Sequence, residues 1–288
     1  MSVLEKLFVL GQYPLPHHLL SRLMGQLTHS HHPWIRRQMI ERISKAYGID
    51  LSEALESDPE AYGCFNAFFT RALKPEARPI DPSFNGVASP ADGYISQKGA
   101  IEEGAILQAK GINYTARSLL GGDSDRAIPF EHGTFLTIYL SPRDYHRLHM
   151  PISGTLREMI HVPGRLFSVN DATARGVPSL FARNERVVAL FDTAMGPMAL
   201  VLVGAIFVAS IETVWHGVVT PPRGTKVTSI QYPEGQVRLK KGDEMGRFNM
   251  GSTIVVLFGH QGVQWNPDLV PGHPVKMGEK LGMLIEGI

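Results

Sequence analysis

Near its C-terminal end the chain reads RFNMGSTIVVLF, Arg247 to Phe258. Gly251 and Ser252 stand at the mouth of an unbroken apolar, β-branched run, Ile254 to Phe258, which reads as a buried strand. Glycine has no Cβ, so its carbonyl is open to close approach. The Ser252 hydroxyl lies beside its own backbone nitrogen, a geometry that allows Oγ to attack the carbonyl of Gly251. Two other stretches carry groups that move protons. SPADGYIS, Ser89 to Ser96, holds Asp92 just before Gly93. LSPRDYHRLHMP, Leu140 to Pro151, holds Asp144, His146 and His149 between two prolines. A hydroxyl becomes a nucleophile when a base takes its proton and an acid orients that base, so Ser, His and Asp together suit this chemistry. The Ser-Pro-Arg-Asp opening predicts a turn, in which residues three apart share a face, so both histidines are expected to look into one site. Without geometry, plainer readings stand beside this one. Gly251-Ser252 fits a turn before a core strand, and Asp92 fits an Asp-Gly turn. The histidines fit surface or satisfied core positions, or a His-x-x-His metal pair with Asp92 as third ligand; no metal is expected.

The elements that must position these groups follow from the rest of the chain. It has 288 residues, 43% hydrophobic and 19% charged, enough for a sizeable core. A formal net charge of +1 gives no electrostatic case for nucleic acid. The single cysteine, Cys64, excludes an internal disulfide and a cysteine-only metal cage, and fits a reducing compartment. The apolar piece Leu7 to Leu10 is too short for a secretory signal and ends at Gly11. Thr193 to Ile211 carries no charge over 19 residues, but Gly196-Pro197 and Gly204 interrupt it, so two buried strands are expected there rather than a membrane span.

Residues 1–60 read as a helical segment and residues 61–288 as a β-rich catalytic domain. Leu19, Leu20, Leu23, Met24 and Leu27 share one helical face, with Lys6, Arg22, Arg36, Arg37 and Arg42 nearby. That face either packs on the core or rests on an anionic membrane. A third helix is expected from Trp34 to Tyr47. The histidines at 17, 18, 29, 31 and 32 are expected in solvent. FNAFFTRAL, from Phe65, reads as an aromatic helical turn anchoring the helices, and LKPEARPID as an extended linker. From Val87 onward, short apolar runs cut by Gly and Pro predict a sandwich or barrel. The stretches 239–246 and 275–282 share one pattern, apolar-Lys-x-Gly-acid-charged-apolar-Gly, and 90–95 resembles 151–156. Such turns resemble those of barrel-sandwich hybrids. The fold class expected is α+β, with a β-rich, barrel-sandwich-hybrid-like core and an N-terminal helical segment.

Several long stretches together resemble the bacterial-type phosphatidylserine decarboxylases. They are FNAFFTRALKPEARPID, SPADGYISQKGAIEEGAILQAKG, YLSPRDYHRLHMPISGTLREM, VPGRLFSVN, LFARNERVVALFDTAMGPMALVLVGA, ASIETVWHG and MGRFNMGST. The resemblance runs from about Tyr62 to the end and is less clear before it. It implies a proenzyme that cuts itself within a Leu-Gly-Ser-Thr motif, here with Met250 in the leucine position. By that resemblance Gly251-Ser252 is the bond cut and Ser252 becomes a pyruvoyl group. Asp92 and His149 match the acid and base of self-processing, and His146 the histidine that assists decarboxylation. The products would be chains 1–251 and 252–288, held as a heterodimer that is open to further dimerisation. The amine of phosphatidylserine would form a Schiff base with the pyruvoyl ketone and leave as phosphatidylethanolamine. A diacyl substrate implies a membrane surface as partner, on the cytoplasmic face and without spanning it. Two other classes use the same side chains: a serine or metal-dependent hydrolase, and a non-catalytic carrier-like or membrane-binding module.

Overall fold

Ile254 to Phe258 carry no polar side chain because neither face of their strand meets water. The computed structural model describes residues 1–109, 111–207, 210–220, 224–249, 252–259 and 262–285. In it the strand Thr253–Phe258 is an interior member of a nine-stranded antiparallel sheet. Gly196–Val203 flanks it on one side and Thr134–Tyr139 on the other, so Thr253 faces Val203 and Tyr139 across the two ladders. Alternate residues leave a strand on opposite faces. Ile254, Val256 and Phe258 enter one core with Leu136, Ile138 and Leu200, while Val255 and Leu257 enter a second with Val188, Leu190 and Val201. Burying side chains of this size contributes about 1.5–3 kcal/mol each before chain entropy is counted. The strand is thereby pinned by two ladders and two cores.

A second antiparallel sheet orders Gly217–Val218, Ile211–Thr213, Glu244–Phe248 and Arg147–His149 as neighbours. The chain therefore leaves the small sheet at Phe248 and enters the large one at Thr253. Asn249 fastens the start of this crossing. Its N–H donates to the Ser210 carbonyl, and its side chain lies between Ser210 Oγ and the Asn66 amide, which donates to it. The uncharged stretch from Thr193 is strand at Gly196–Val203 and again at Ile211–Thr213; Val208 and Ala209 lie outside the described residues. Among the described residues no helix is long and apolar enough to cross a membrane. The architecture is α+β with a β-rich core.

Among the described residues four α-helices precede the first strand: α1 (Val3–Gln12), α2 (His17–Thr28), α3 (Pro33–Tyr47) and α4 (Phe65–Phe69). Ser2 and Glu5 cap α1 reciprocally, and left-handed Gly48 ends α3. Phe65, Phe68 and Phe69 of α4 are buried with Ile40 of α3, as the aromatic run predicts. Two expectations are corrected. His17 is buried, not in solvent: its Nε2–H donates to the Gln12 carbonyl and its Nδ1 accepts from Leu166 N–H, so both ring nitrogens are satisfied by backbone. LKPEARPID is not a passive linker. Pro75–Ala77 make a short 3₁₀ turn, and Arg78 beyond it is buried and ion-paired.

The repeated pattern at 239–246 and 275–282 folds as two equivalent turns. Lys240 N–H donates to the Asp243 carboxylate and Lys276 N–H to that of Glu279. Gly242 and Gly278 take the same left-handed conformation, φ 87° and 89°. Both pack against one short segment, since a Cβ on Gly242 would meet Ile80 at 2.9 Å and one on Gly278 would meet the Pro79 carbonyl at 2.5 Å. Gly278→Ala is therefore expected to cost about 1–3 kcal/mol through combined strain and overlap. The check is the urea unfolding midpoint, which should fall; an unchanged midpoint would contradict the close approach.

Candidate active site

Ser252 directly precedes the pinned strand, and its carbonyl accepts Leu140 N–H at 2.9 Å. The residue is fully buried, and among the described residues its Oγ has no hydrogen-bond partner. A buried polar atom left unpaired costs about 1–3 kcal/mol, so each such atom in a folded chain calls for a reason. A hydroxyl kept for reaction is one. Met250 and Gly251 lie outside the described residues, so the partner carbonyl expected for that hydroxyl is not part of this geometry.

His146 carries another of the unpaired buried atoms. Its Nδ1–H donates to the Asp144 carbonyl at 2.8 Å, which leaves Nε2 as a bare acceptor; Nε2 is buried and has no partner among the described residues. Phe69 of α4 stacks on the ring, centroids 4.0 Å apart. Burial first, and the Arg71 charge second, push the imidazole down to about 3 against the opposing pull of the Asp144 carbonyl. The ring is therefore neutral at pH 7. The His146 carbonyl accepts Phe248 N–H, which ties this residue to the strand that leads into Ser252.

His149 is held differently. Its Nδ1–H donates to the Gly242 carbonyl at 2.8 Å, and Tyr145 Oη–H meets its Nε2 at 3.1 Å. Its backbone N–H donates to the Pro90 carbonyl, so the SPADG turn is its neighbour. Burial lowers its basicity and the Gly242 carbonyl works against that. The Asp92 carboxylate accepts from Arg78 Nε and Nη2 and from Met277 N–H at 2.8 Å. Arg78 also meets Glu53 at 2.8 Å. Among the described residues Asp92 and His149 share no hydrogen bond. Arg78 has taken the carboxylate oxygens that a direct Asp–His contact would use. The two equivalent glycine turns do the positioning instead: the first supplies the carbonyl under His149, the second the amide on Asp92.

The structure departs from the expectation that a turn aims both histidines into one site. The turn ends before His146, and Arg147–His149 is a strand, so the two rings have different neighbours. Arg71, Arg78, Tyr145 and Phe69 were not singled out from sequence. The signal for the arginines was available: two cations set in aromatic and proline-rich stretches that otherwise read as anchor and linker. Arg71, Arg78, Asp92, Tyr94, Arg143 and Tyr145 line a common cavity of about 250 Å³.

Comparison with known proteins gives concordant results. The family model described as phosphatidylserine decarboxylase matches residues 65–283, and a second model, described as PSD, matches residues 7–48. A protein of Bordetella avium is 57% identical over 284 residues, covering 98% of this chain and 96% of its own length. One of Ectopseudomonas mendocina is 57% identical over 281 residues, covering 96% and 98%. One of Azotobacter vinelandii is 55% identical over 281 residues, covering 96% and 98%. Each is named phosphatidylserine decarboxylase proenzyme.

The buried neutral imidazole has a pH signature. Between about pH 3 and 6.5 an unfolded His146 binds a proton that the folded one refuses, so its contribution to stability is present above pH 6.5 and is lost on acidification. Asp144 works in the opposite sense. Burial raises its carboxyl to about 6, so its contribution falls as pH rises from 4 towards 6. Phenylalanine keeps the stack on Phe69, so His146→Phe should lose less thermal stability than the parent between pH 6.5 and 4. An equally steep fall in melting temperature would contradict a neutral imidazole.

Proposed function

The chain belongs to the phosphatidylserine decarboxylase family and is a carboxy-lyase, and from that premise we propose that it matures by cutting itself between Gly251 and Ser252. The observation that most supports this reading is the buried Ser252 hydroxyl, which has no hydrogen-bond partner among the described residues, at the head of a strand held on both sides. His149 takes the proton from Ser252 Oγ, with its own orientation fixed through Nδ1 by the Gly242 carbonyl. Asp92 helps by charge rather than by contact, second to Glu244, since both carboxylates favour the protonated ring. Oγ attacks the Gly251 carbonyl and the amide becomes an ester. Loss of the Ser252 Cα proton breaks the Cβ–O bond and releases the Gly251 carboxylate. Water then enters the resulting dehydroalanine and ammonia leaves. The residues fit a group made in this way, because the cut consumes the hydroxyl that otherwise lies unpaired.

The pyruvoyl group at residue 252 supplies an electron-withdrawing ketone, conjugated to the Thr253 amide, for a substrate amine that must lose its carboxylate. The chain's own residues do the rest. The strand Thr253–Phe258 fixes the position of residue 252. Burial of His146 and Phe69 excludes water from that end of the site. His146 Nε2, bare at rest, accepts the proton that the substrate ammonium must lose to react as an amine, and returns it to the substrate carbon after carbon dioxide has left. The substrate is phosphatidylserine, and loss of carbon dioxide leaves phosphatidylethanolamine. The mature enzyme is two chains, 1–251 and 252–288, the second of 288 − 251 = 37 residues. Residues 1–60 serve as its membrane-associating segment.

The N-terminal helices support attachment to a lipid surface, and the functional reading puts that surface on the cytoplasmic face. In α2 the buried residues are polar, His17, Ser21 and Thr28, whereas Leu19, Leu23 and Leu27 are 56%, 49% and 45% exposed. Leu4, Leu7 and Leu10 of α1 are exposed as well. A helix that turns its polar side inward and its leucines outward is built for an apolar environment outside the protein. Exposed Lys6 and Arg22 add attraction to anionic headgroups.

Two experiments test this reading. Purified wild-type protein should migrate as two chains on a denaturing gel, and Ser252→Ala and His149→Ala each as one. Normal cutting of folded His149→Ala would falsify its role as base. Leu19→Glu with Leu23→Glu should lower flotation with anionic vesicles at least about 10-fold, since each leucine's transfer is worth on the order of 1 kcal/mol or more. Undiminished flotation by the folded double variant would move the membrane contact elsewhere.

A further inference from the structure

Arg71 is the buried cation that the fold leaves without a counterpart. It is 5% exposed. Its Nη2 donates to the Arg143 carbonyl at 3.2 Å, while Nε and Nη1 are buried and have no partner among the described residues. Among the described residues no carboxylate lies within ion-pair distance of it, and the Phe68 ring at 5.7 Å offers only its face. Other buried arginines are provided for. Arg78 has Asp92 and Glu53, and Arg186 has the carbonyls of Leu119, Ala182, Asn184 and Ser118. A guanidinium does not shed its proton to escape such a position. A charge held dry with free donors is costly unless an anion arrives to accept from them.

The place where that anion would arrive is defined. Arg71 lines the 250 Å³ cavity together with Arg143, Tyr94 and Tyr145. The four acids in the same wall are engaged: Asp92 by Arg78, Glu53 by Arg78 and Lys276, Asp50 by the N–H and hydroxyl of Ser52, and Asp144 by Ser141 N–H at 2.6 Å. The segment is also tied to the reaction end of the site. Phe69, two residues earlier, stacks on His146, and Arg147 Nε donates to the Thr70 carbonyl. A space of this size is below the usual range for drug-sized ligands, roughly 300–1,000 Å³, and suits a polar headgroup rather than acyl chains.

We propose that Arg71 recognises the phosphodiester of the lipid headgroup through Nε and Nη1. This rests on the functional reading above, and the choice between the substrate's two anions follows from the reaction. The carboxylate loses its charge as carbon dioxide forms, so a guanidinium on it would hold the ground state more tightly than the transition state and slow the step. The phosphodiester keeps its charge throughout. It lies a short, fixed number of bonds from the reacting amine, so gripping it positions that amine without opposing the chemistry.

The test uses the uncut full-length Ser252→Ala protein, so that binding does not depend on self-processing. Glycerophosphoethanolamine, inorganic phosphate and acetate are titrated calorimetrically, with and without Arg71→Gln. Glycerophosphoethanolamine should bind more tightly than inorganic phosphate, and Arg71→Gln should weaken it at least about 10-fold, as expected for a lost charged hydrogen bond. Acetate should be indifferent to the substitution. Without any probe Arg71→Gln should melt no earlier than its parent, because it removes an unpaired buried charge; a purely structural arginine would lower that temperature. Arg71→Lys, which keeps the charge, should retain part of the affinity. Undiminished glycerophosphoethanolamine binding overturns the proposal, a loss confined to acetate reassigns Arg71 to a carboxylate, and equal affinity for inorganic phosphate reduces the site to a free-phosphate site. Self-processing of Arg71→Gln, followed on a gel, separates a failure of this inference from a failure of the maturation scheme.

Discussion

Everything in the site depends on the strand Thr253–Phe258 being held from four directions at once. Two ladders fix its backbone, and two cores fix its side chains. The residue in front of it cannot drift, although the chain has just crossed from the smaller sheet. Ser252 is thus both held in place and chemically unsatisfied, with a buried hydroxyl that has no hydrogen-bond partner among the described residues. Secondary structure alone removes the entropy that a nucleophile would otherwise lose on reaching its target. The chain ahead of the crossing is anchored by Asn249 between Ser210 and Asn66.

Burial does a second task by setting the charge states around that residue. It keeps His146 neutral, lowers the basicity of His149 and raises the carboxyl of Asp144. Among the described residues it also leaves the guanidinium of Arg71 without a carboxylate at ion-pair distance. These effects share one origin, since ionised groups are poorly solvated in the interior. Their result is a site with a free base at one end and a free cation at the other. A zwitterionic headgroup that must shed one anion and keep another matches that polarity.

The fold was largely legible in the chain because its signals are local. The unbroken run after Ser252 predicts a doubly buried strand, and the aromatic run from Phe65 predicts the anchor of the helices. The repeated Lys-x-Gly pattern predicts matching turns, although not that one would hold His149 and the other Asp92. What could not be read is long-range. Arg78 sits 14 positions from Asp92 in the chain, and only folding brings it onto the carboxylate in place of His149. His17 looks like a surface histidine until Leu166 and Gln12 close on it. The leucines of α2 form the face that periodicity predicts, but periodicity does not say which side of a helix meets the protein. The structure turns them outward.

The central claim is that the fold converts Ser252 into a keto acid by severing the bond before it. The most direct measurement is the exact mass of the C-terminal product from purified wild-type protein. The account predicts a fragment of residues 252–288 that is lighter by one ammonia than the same residues with an intact serine, and that resists Edman degradation. A single full-length chain with an unmodified Ser252 that still decarboxylates lipid would contradict it.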